Sequence, residues 1–449
     1  MDRRKKIILG LVLLSYFITA IDGSIVITGL IKITADLNLS HTELSWVQNA
    51  YLLSFGGFML MGGGLGDTFG RKRMFNFSLV LFGLDSLVAG CAQSAGMMIG
   101  ARFVQGLGSA VLAPTSLALI MDYFEGGERV KAVAWYGSIS GLGLCVGLVA
   151  GGAITSYASW RDGFFVNVPI IAVMLFLSVR TLDGKAVVAR RFDIKGTVLS
   201  VCGVFCLLYA IDGAALVWPW LVAGAVLLGL FVYNERHSEL AIMPLRLFYE
   251  PHRRNAYITR ALLIGALMGY NLFISEFMQE FFCFTPLMAG CAFLPMTVTT
   301  FIGALRVPLL VSRYGNVRVL AVGLSLLIVG FCLLLAVDRG STYIIGVAVP
   351  MVLIGFGQGL AMSPLTNLGI AGVGHSDSGA ASGLVNVAHQ VGGAFGLSFM
   401  VAASDGLTDM AARFHTGMTV ALCCIVVGLA VACWRSTGVL CVFSRRACK

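Results

Sequence analysis

The stretch Gly64-Leu65-Gly66-Asp67-Thr68-Phe69-Gly70-Arg71-Lys72-Arg73 separates the second and third of a long series of apolar runs. A second stretch, Val311-Ser312-Arg313-Tyr314-Gly315-Asn316-Val317-Arg318, separates the tenth and eleventh runs and reads as a decayed copy of the first. Two further correspondences share that offset. Gln105-Gly106-Leu107 with Pro114 in run 4 is answered by Gln358-Gly359-Leu360 with Pro364 in run 12, and runs 5 and 13 are both rich in glycine. An offset of eight implies six helices, two inserted helices, then six again, related as parallel repeats.

The runs number fourteen, from Ile7 to Ile31 at one end to Met418 to Trp434 at the other. About 20 apolar residues are needed to cross a bilayer. With 58% hydrophobic and 12% charged residues over 449 positions, a soluble single domain is excluded. The 55 glycines lie inside apolar runs, as in membrane helices, and not in the polar repeats of a disordered chain. The 12 cysteines form no CxxC pair and have no interleaved histidines, so they read as small hydrophobes. Arg3 to Lys6 and the run after them imitate a secretory signal, but without a convincing cleavage site the run is expected to be retained as helix 1.

The net charge of +9 would suggest nucleic acid on a soluble protein. Its location argues otherwise. With the N-terminus inside, the basic residues of the loops fall on the cytoplasmic side, except Lys32, Arg161, Arg339 and Arg413. Lys and Arg collect there by the positive-inside rule. The excess is thus a topological signal facing anionic lipid. Nucleic acid is not an expected partner, and both termini are expected in the cytoplasm. Arg102, Arg260 and Arg306 remain within runs.

The expected architecture is an all-α polytopic membrane protein of 6+2+6 transmembrane helices. It comprises an N-terminal six-helix bundle over 1–182, two inserted helices with cytoplasmic linkers over 183–254, and a C-terminal six-helix bundle over 255–449. Two facing bundles offer a substrate site at the midplane, and rocking of one against the other gives alternating access. A secondary active transporter is expected, not an enzyme.

A charge inside a span needs a partner or an aqueous cavity, which makes such residues the functional shortlist. Asp22 lies in the middle of helix 1, where a carboxyl can carry a proton or meet a cation, or can be a buried structural carboxylate. Asp85 in helix 3 is a second candidate, with packing the stronger reading. Arg102 with Gln105 in helix 4 is expected either to modulate the proton-binding carboxylate or to brace helices. In helix 13, His389 beside Asn386 and Gln390 can join proton movement or make an interhelical hydrogen bond. In the loop, Gly64 and Gly70 permit close approach, while Asp67 and Arg71 can pair with each other, with helix ends, or with Asp122. Such a cluster would latch the cytoplasmic side of the bundles as a bistable gate. Gly143, Gly147, Gly151 and the adjacent Gly152 leave one face of helix 5 bare for packing or sliding. Glu276 and Glu280 follow helix 9 on the outer side, where they can attract cations at the outer mouth, with a solvated loop the stronger reading. No Walker loop, HExxH or GxSxG occurs, so neither a metal nor a cofactor is expected.

These residues resemble the major facilitator superfamily, and specifically its fourteen-helix drug:proton antiporter branch of the EmrB/QacA type, over nearly the whole chain. Gly64 to Arg73 resembles the signature loop, Arg102 to Gly108 the helix 4 motif, and Asp22 the helix 1 acidic motif. Trp160-Arg161 with Phe164, Asn167 and Pro169 is similar to the approach to helix 6, and Trp46 to Leu52 to helix 2. The resemblance implies Asp22 and Arg102 in proton coupling and substrate binding, Asp67 and Arg71 in gating, and the helix 5 glycines as the antiporter motif. The proline usual after that motif's central glycine is Leu148 here, which leaves export and import both open. Proton-coupled efflux of amphipathic or lipophilic compounds across a bacterial cytoplasmic membrane is the implied function. Its partners are the small-molecule substrate, protons and membrane lipid; the sequence names no adaptor or outer-membrane partner. One charge crossing about 150 mV releases roughly 3.5 kcal/mol, a gradient of a few hundredfold. The alternatives are a dedicated exporter or importer of one antibiotic, metabolite or lipid, and a membrane sensor or scaffold without transport.

Overall fold

The computed structural model describes residues 2–184, 193–211, 216–238, 243–337, 340–373 and 378–434. Among them the regular structure is helical throughout. In order come α1 (Arg3–Leu37), α2 (His41–Phe69), α3 (Arg71–Gly90), α4 (Ala95–Tyr123), α5 (Gly126–Tyr157), α6 (Trp160–Phe165), α7 (Asn167–Thr181), α8 (Ile194–Ile211) and α9 (Val217–His237). Then follow α10 (Pro251–Glu280), α11 (Pro286–Ala292), α12 (Leu294–Tyr314), α13 (Asn316–Leu335), α14 (Val349–Ile370), α15 (Ser378–Ala403) and α16 (Met410–Cys433). Among the described residues, twelve helical passages are long and apolar enough to cross a membrane. Two further helices, α2 with 29 residues and α5 with 32, are long enough as well. Ser45, Gln48, Asn49, Ser54 and its glycines dilute the apolarity of α2. Exposed Leu84, Val173, Phe176, Val222 and Leu309 give the outer faces an apolar surface suited to lipid.

Three passages are interrupted for one reason. A proline lacks the N–H of a helical bond and its ring presses on the carbonyl four residues earlier. Pro169 follows the break between α6 and α7, Pro295 the break between α11 and α12, and Pro350 a π turn over Ile344–Ala348. Each pair still reads as one passage, such as Trp160–Thr181 and Pro286–Tyr314.

The chain forms two compact units, one of Met1–Ile242 with Ile274–Ala292, the other of Met243–Phe273 with Phe293–Lys449. In the first, α2 and α4 touch backbone to backbone: a Cβ on Gly62 would collide with the Ala110 carbonyl, and one on Gly106 with Ser54 Oγ and, at 2.5 Å, the Tyr51 carbonyl. The second unit repeats this contact between α12 and α14, where a Cβ on Gly359 would collide with the Thr300 carbonyl and lie 3.1 Å from Gly303 Cα. The glycines of α5 lie on α1. Likewise, Gly392 and Gly396 of α15 lie on Ala261 and Gly265 of α10. Gly70 at φ 94° joins α2 to α3, and Gly315 at φ 82° joins α12 to α13, a conformation that only glycine adopts without strain. The repeat read in the sequence is thus a repeat of helix contacts.

The inserted helices α8 and α9 interlock through Gly203 against Leu228 and Gly224 against Leu207. They dock on α2, with Val201 filling the space at Gly57 and Trp46 lying 5.4 Å from Phe205 between ring centres. α10 runs past its expected end: Glu276 lies within the helix, 4% exposed, so the solvated loop expected at Glu276 and Glu280 is absent. The helix persists because Phe277 and Met278 are buried and Ser275 Oγ donates to the Ile27 carbonyl of α1 at 2.8 Å.

Overpacking of this kind costs about 1–3 kcal/mol per site. Gly106→Ala and Gly359→Ala are each expected to lower the thermal unfolding midpoint of the detergent-solubilised protein. Gly10→Ala, where a Cβ meets open space, should leave it unchanged. Size-exclusion chromatography after heating a temperature series reads all three.

Candidate functional site

Asp22 stands where α1 is pinched. A Cβ on Gly147 would lie 2.8 Å from Ile21 Cα, and one on Gly151 3.0 Å from Ile25 Cα, so α5 closes the backbone on either side of this carboxylate. Gly143 meets Ala20 one turn earlier, whereas Gly152 faces Pro286 and Leu287 at the start of α11. Asp22 itself is fully buried. Its Oδ2 accepts from Arg102 Nη1 at 2.5 Å, and its Oδ1 accepts from Gln105 Nε2 at 2.9 Å and Asn167 Nδ2 at 3.2 Å.

Arg102 and Gln105 share a face of α4 because residues three apart lie side by side on a helix. The guanidinium, 1% exposed, also donates to Gln105 Oε1 at 2.6 Å and to the Val47 carbonyl at 3.2 Å, and lies 4.4 Å from the centre of the Tyr51 ring. Ser86 Oγ of α3 accepts from Gln105 Nε2 at 3.1 Å and from Asn167 Nδ2 at 3.4 Å. The expected pair of Asp22 and Arg102 with Gln105 is therefore assembled, in a network that also takes in Asn167, Ser86, Val47 and Tyr51. Those four carry weak sequence signals. Asn167 stands out through its place in the resemblance at the approach to helix 6, Val47 and Tyr51 only within the stretch Trp46 to Leu52, and Ser86 only as a hydroxyl beside Asp85.

The stretch Gly64 to Arg73 brings Arg71 against α4. Arg71 Nη1 pairs with Asp122 Oδ1 at 2.7 Å and donates to the Ala118 carbonyl at 3.0 Å. Gly64 lies in the last turns of α2, Gly66 brings the loop against Thr115, and Gly70 turns into α3. The side chain of Asp67 lies outside the described residues. Neighbouring cations at this end hold exposed helix carbonyls: Arg4 bonds the Thr181 carbonyl at 2.8 Å, Lys72 the Val179 and Leu182 carbonyls, and Arg129 the Phe124 carbonyl at 2.8 Å. Cations are favoured at helix C-termini.

His389 belongs to the second unit, apart from the network of the first. Arg260 Nη2 lies 3.3 Å from its Nδ1, and Arg260 Nη1 donates to the Met362 carbonyl at 3.2 Å and to Thr366 Oγ1 at 2.9 Å. A guanidinium only donates, so this ring nitrogen accepts. Asn386 turns to the Ser382 carbonyl of its own helix. Arg260 is the partner that sequence reading left unassigned.

A duplicated helical fold with a charged network buried within one unit is the build of a membrane transporter. The profile of the Major Facilitator Superfamily matches residues 12–397, and the chain belongs to that family. It is 35% identical over 412 residues to the puromycin resistance protein pur8 of Streptomyces alboniger, covering 89% of this chain and 82% of that protein. It is 34% identical over 408 residues to the cephamycin export protein CmcT of Amycolatopsis lactamdurans, covering 88% and 84%. Among solved structures, an auto-inhibited peptide transporter of the POT family superposes with a TM-score of 0.70 at 14% identity, covering 97% of each chain.

Breaking a buried ion pair from one side costs about 3–5 kcal/mol because the other charge is left uncompensated. Arg102→Gln is expected to destabilise the purified protein strongly, and Asp22→Asn added to it should restore part of the loss. A thermal unfolding double-mutant cycle measures this coupling; additive effects would show that the two side chains do not interact.

Proposed function

We propose that the protein exports drug-like amphipathic or lipophilic compounds across the bacterial cytoplasmic membrane in exchange for protons. It works by alternating access as a secondary transporter of the fourteen-helix drug:proton antiporter branch. In this reading 1–182 and 255–449 are the two rocking bundles, 183–254 carries the inserted pair, and both termini face the cytoplasm. The observation that carries it is the buried pair of Asp22 and Arg102. A carboxylate held by one guanidinium and two amides can exchange that guanidinium for a proton or for a cationic substrate group, and each occupant excludes the other. Export is supported by the relatives named for antibiotic resistance and export. Arg71 with Asp122 serves as the inner latch, and the glycine face of α5 on α1 is the surface along which helix 1 shifts. Arg260 beside His389 lies in the second bundle as an interhelical bond. Because those relatives are named for single antibiotics, dedicated export of one antibiotic is the second reading.

Everted vesicles test both readings. Uncoupler-sensitive uptake of several unrelated dyes is expected, falling to background for Asp22→Asn at equal protein in the membrane. Uptake unaffected by uncoupler and by Asp22→Asn would overturn proton coupling. A response to one compound of a wide panel would select the dedicated exporter.

A further inference from the structure

Asp85 of α3 is, like Asp22, a carboxyl buried within an apolar helix of the first unit. It is 7% exposed, and among the described residues it makes no hydrogen bond or ion pair, its Oδ2 being sealed from solvent without a partner. It stands on the buried face of α3 with Ser78, Phe82, Ser86 and Ala89, against α4. The next residue, Ser86, accepts hydrogen bonds from both amides that hold Asp22. Asp85 is therefore one residue from the network of Asp22 and takes no part in its bonding.

The charged and titratable groups on the elements packed around α3 are committed elsewhere or lie at helix ends. On α4, Arg102 is held by Asp22, and Asp122 and Tyr123 stand at the opposite end of α3's length, beside Arg71. On α6, Arg161 bonds Asp36 and the Ala92 carbonyl, and Asp162 caps its own helix at Ser159. On α7, Arg180 stacks on Phe176; on α2, Glu43 caps Ser40 and Tyr51 bonds Ser109. Among the described residues no cation or donor replaces water at Asp85, and an unpaired buried charge is costly.

We propose that Asp85 is a second proton-binding carboxyl of the transport cycle, alongside Asp22. Asp85 lies five residues before the end of α3 at Gly90, toward the end of the unit opposite the Arg71 loop. Asp85 takes up one proton and releases one proton in each cycle, and no other bond changes. The transporter then couples two protons to each neutral substrate molecule, one at each carboxyl. This inference rests on the proton coupling proposed above.

Proteoliposomes with the membrane potential clamped at zero and an imposed difference of one pH unit test it, with a neutral dye as substrate. Each coupled proton contributes a factor of about ten to the limiting accumulation ratio. The wild type is expected to approach about a hundredfold and Asp85→Asn about tenfold. A wild-type ratio that ignores the pH difference overturns proton coupling itself. A wild-type ratio that follows it, with the same ratio for Asp85→Asn, overturns only the role of Asp85. Because Asp85→Asn can fail to fold, the wild-type protein is also treated with dicyclohexylcarbodiimide, which reacts with protonated carboxyls in apolar surroundings, and mapped by mass spectrometry. Modification of Asp85 that declines as pH rises supports the assignment; absence of modification across the pH range overturns it.

Discussion

Water is missing from the middle of a bilayer, and the contact between Asp22 and Arg102 is where this chain meets that constraint most sharply. Each charge there requires the other, because neither can be solvated. The guanidinium must touch α1 at Asp22, the α2 carbonyl of Val47 and the α2 ring of Tyr51 at once. Three helices must therefore approach within the reach of one side chain. Gly106 permits this on the side of α2, and Gly147 with Gly151 permits α5 to close behind α1. The abundance of glycine follows from the need to bring polar groups together.

The two repeats share packing and differ in chemistry. Gln105 and Gln358 each precede the glycine that meets the neighbouring helix, yet three residues earlier the first repeat has Arg102 and the second Gly355. Gly355 is pressed against the Met296 carbonyl and Thr299, so no longer side chain fits there. The acid of helix 1 lies mid-helix, whereas the acid buried in α10, Glu276, lies near that helix's C-terminal end. Duplicated backbone contacts give both units the same mechanical framework, while the exchangeable ion pair belongs to one of them. The bond from Arg260 to His389 ties α10 to α15 in the other.

Much of this was legible from the residues, for stated reasons. The membrane runs, the repeat and the shortlist of Asp22 and Arg102 follow from hydropathy and from the cost of intramembrane charge, which are local properties. Ser86 was not legible, and Asn167 and Tyr51 were marked only by resemblance and not as partners of Asp22 and Arg102, because hydroxyls and amides are common in apolar runs and only the register of α1, α2, α3, α4 and α7 selects these. Arg4, Lys72 and Arg129 were read as orientation signals. They also close the ends of α4 and α7, which needs knowledge of where a neighbouring helix stops. Glu276 was placed in a loop because its charge ends an apolar run, whereas the burial of Phe277 and Met278 carries the helix onward.

The partners of the ion pair distinguish a switch from a brace. A static brace needs each charge to depend on the other alone. Here Arg102 retains Gln105 Oε1, the Val47 carbonyl and the Tyr51 ring if Asp22 is neutralised, and Asp22 retains Gln105 Nε2 and Asn167. Neutralising Asp22 removes the counter-charge of Arg102 but leaves its hydrogen bonds to Gln105 Oε1 and the Val47 carbonyl and its contact with the Tyr51 ring, which offset part of the cost of the open state. Two arrangements of similar free energy are what a small ligand can exchange, since it shifts an equilibrium only by its differential affinity. In the proposed exchange a proton or a cationic substrate group would act at Asp22 Oδ2, the atom that accepts from Arg102. Competition at that single oxygen would couple the two fluxes with no wire between distant sites.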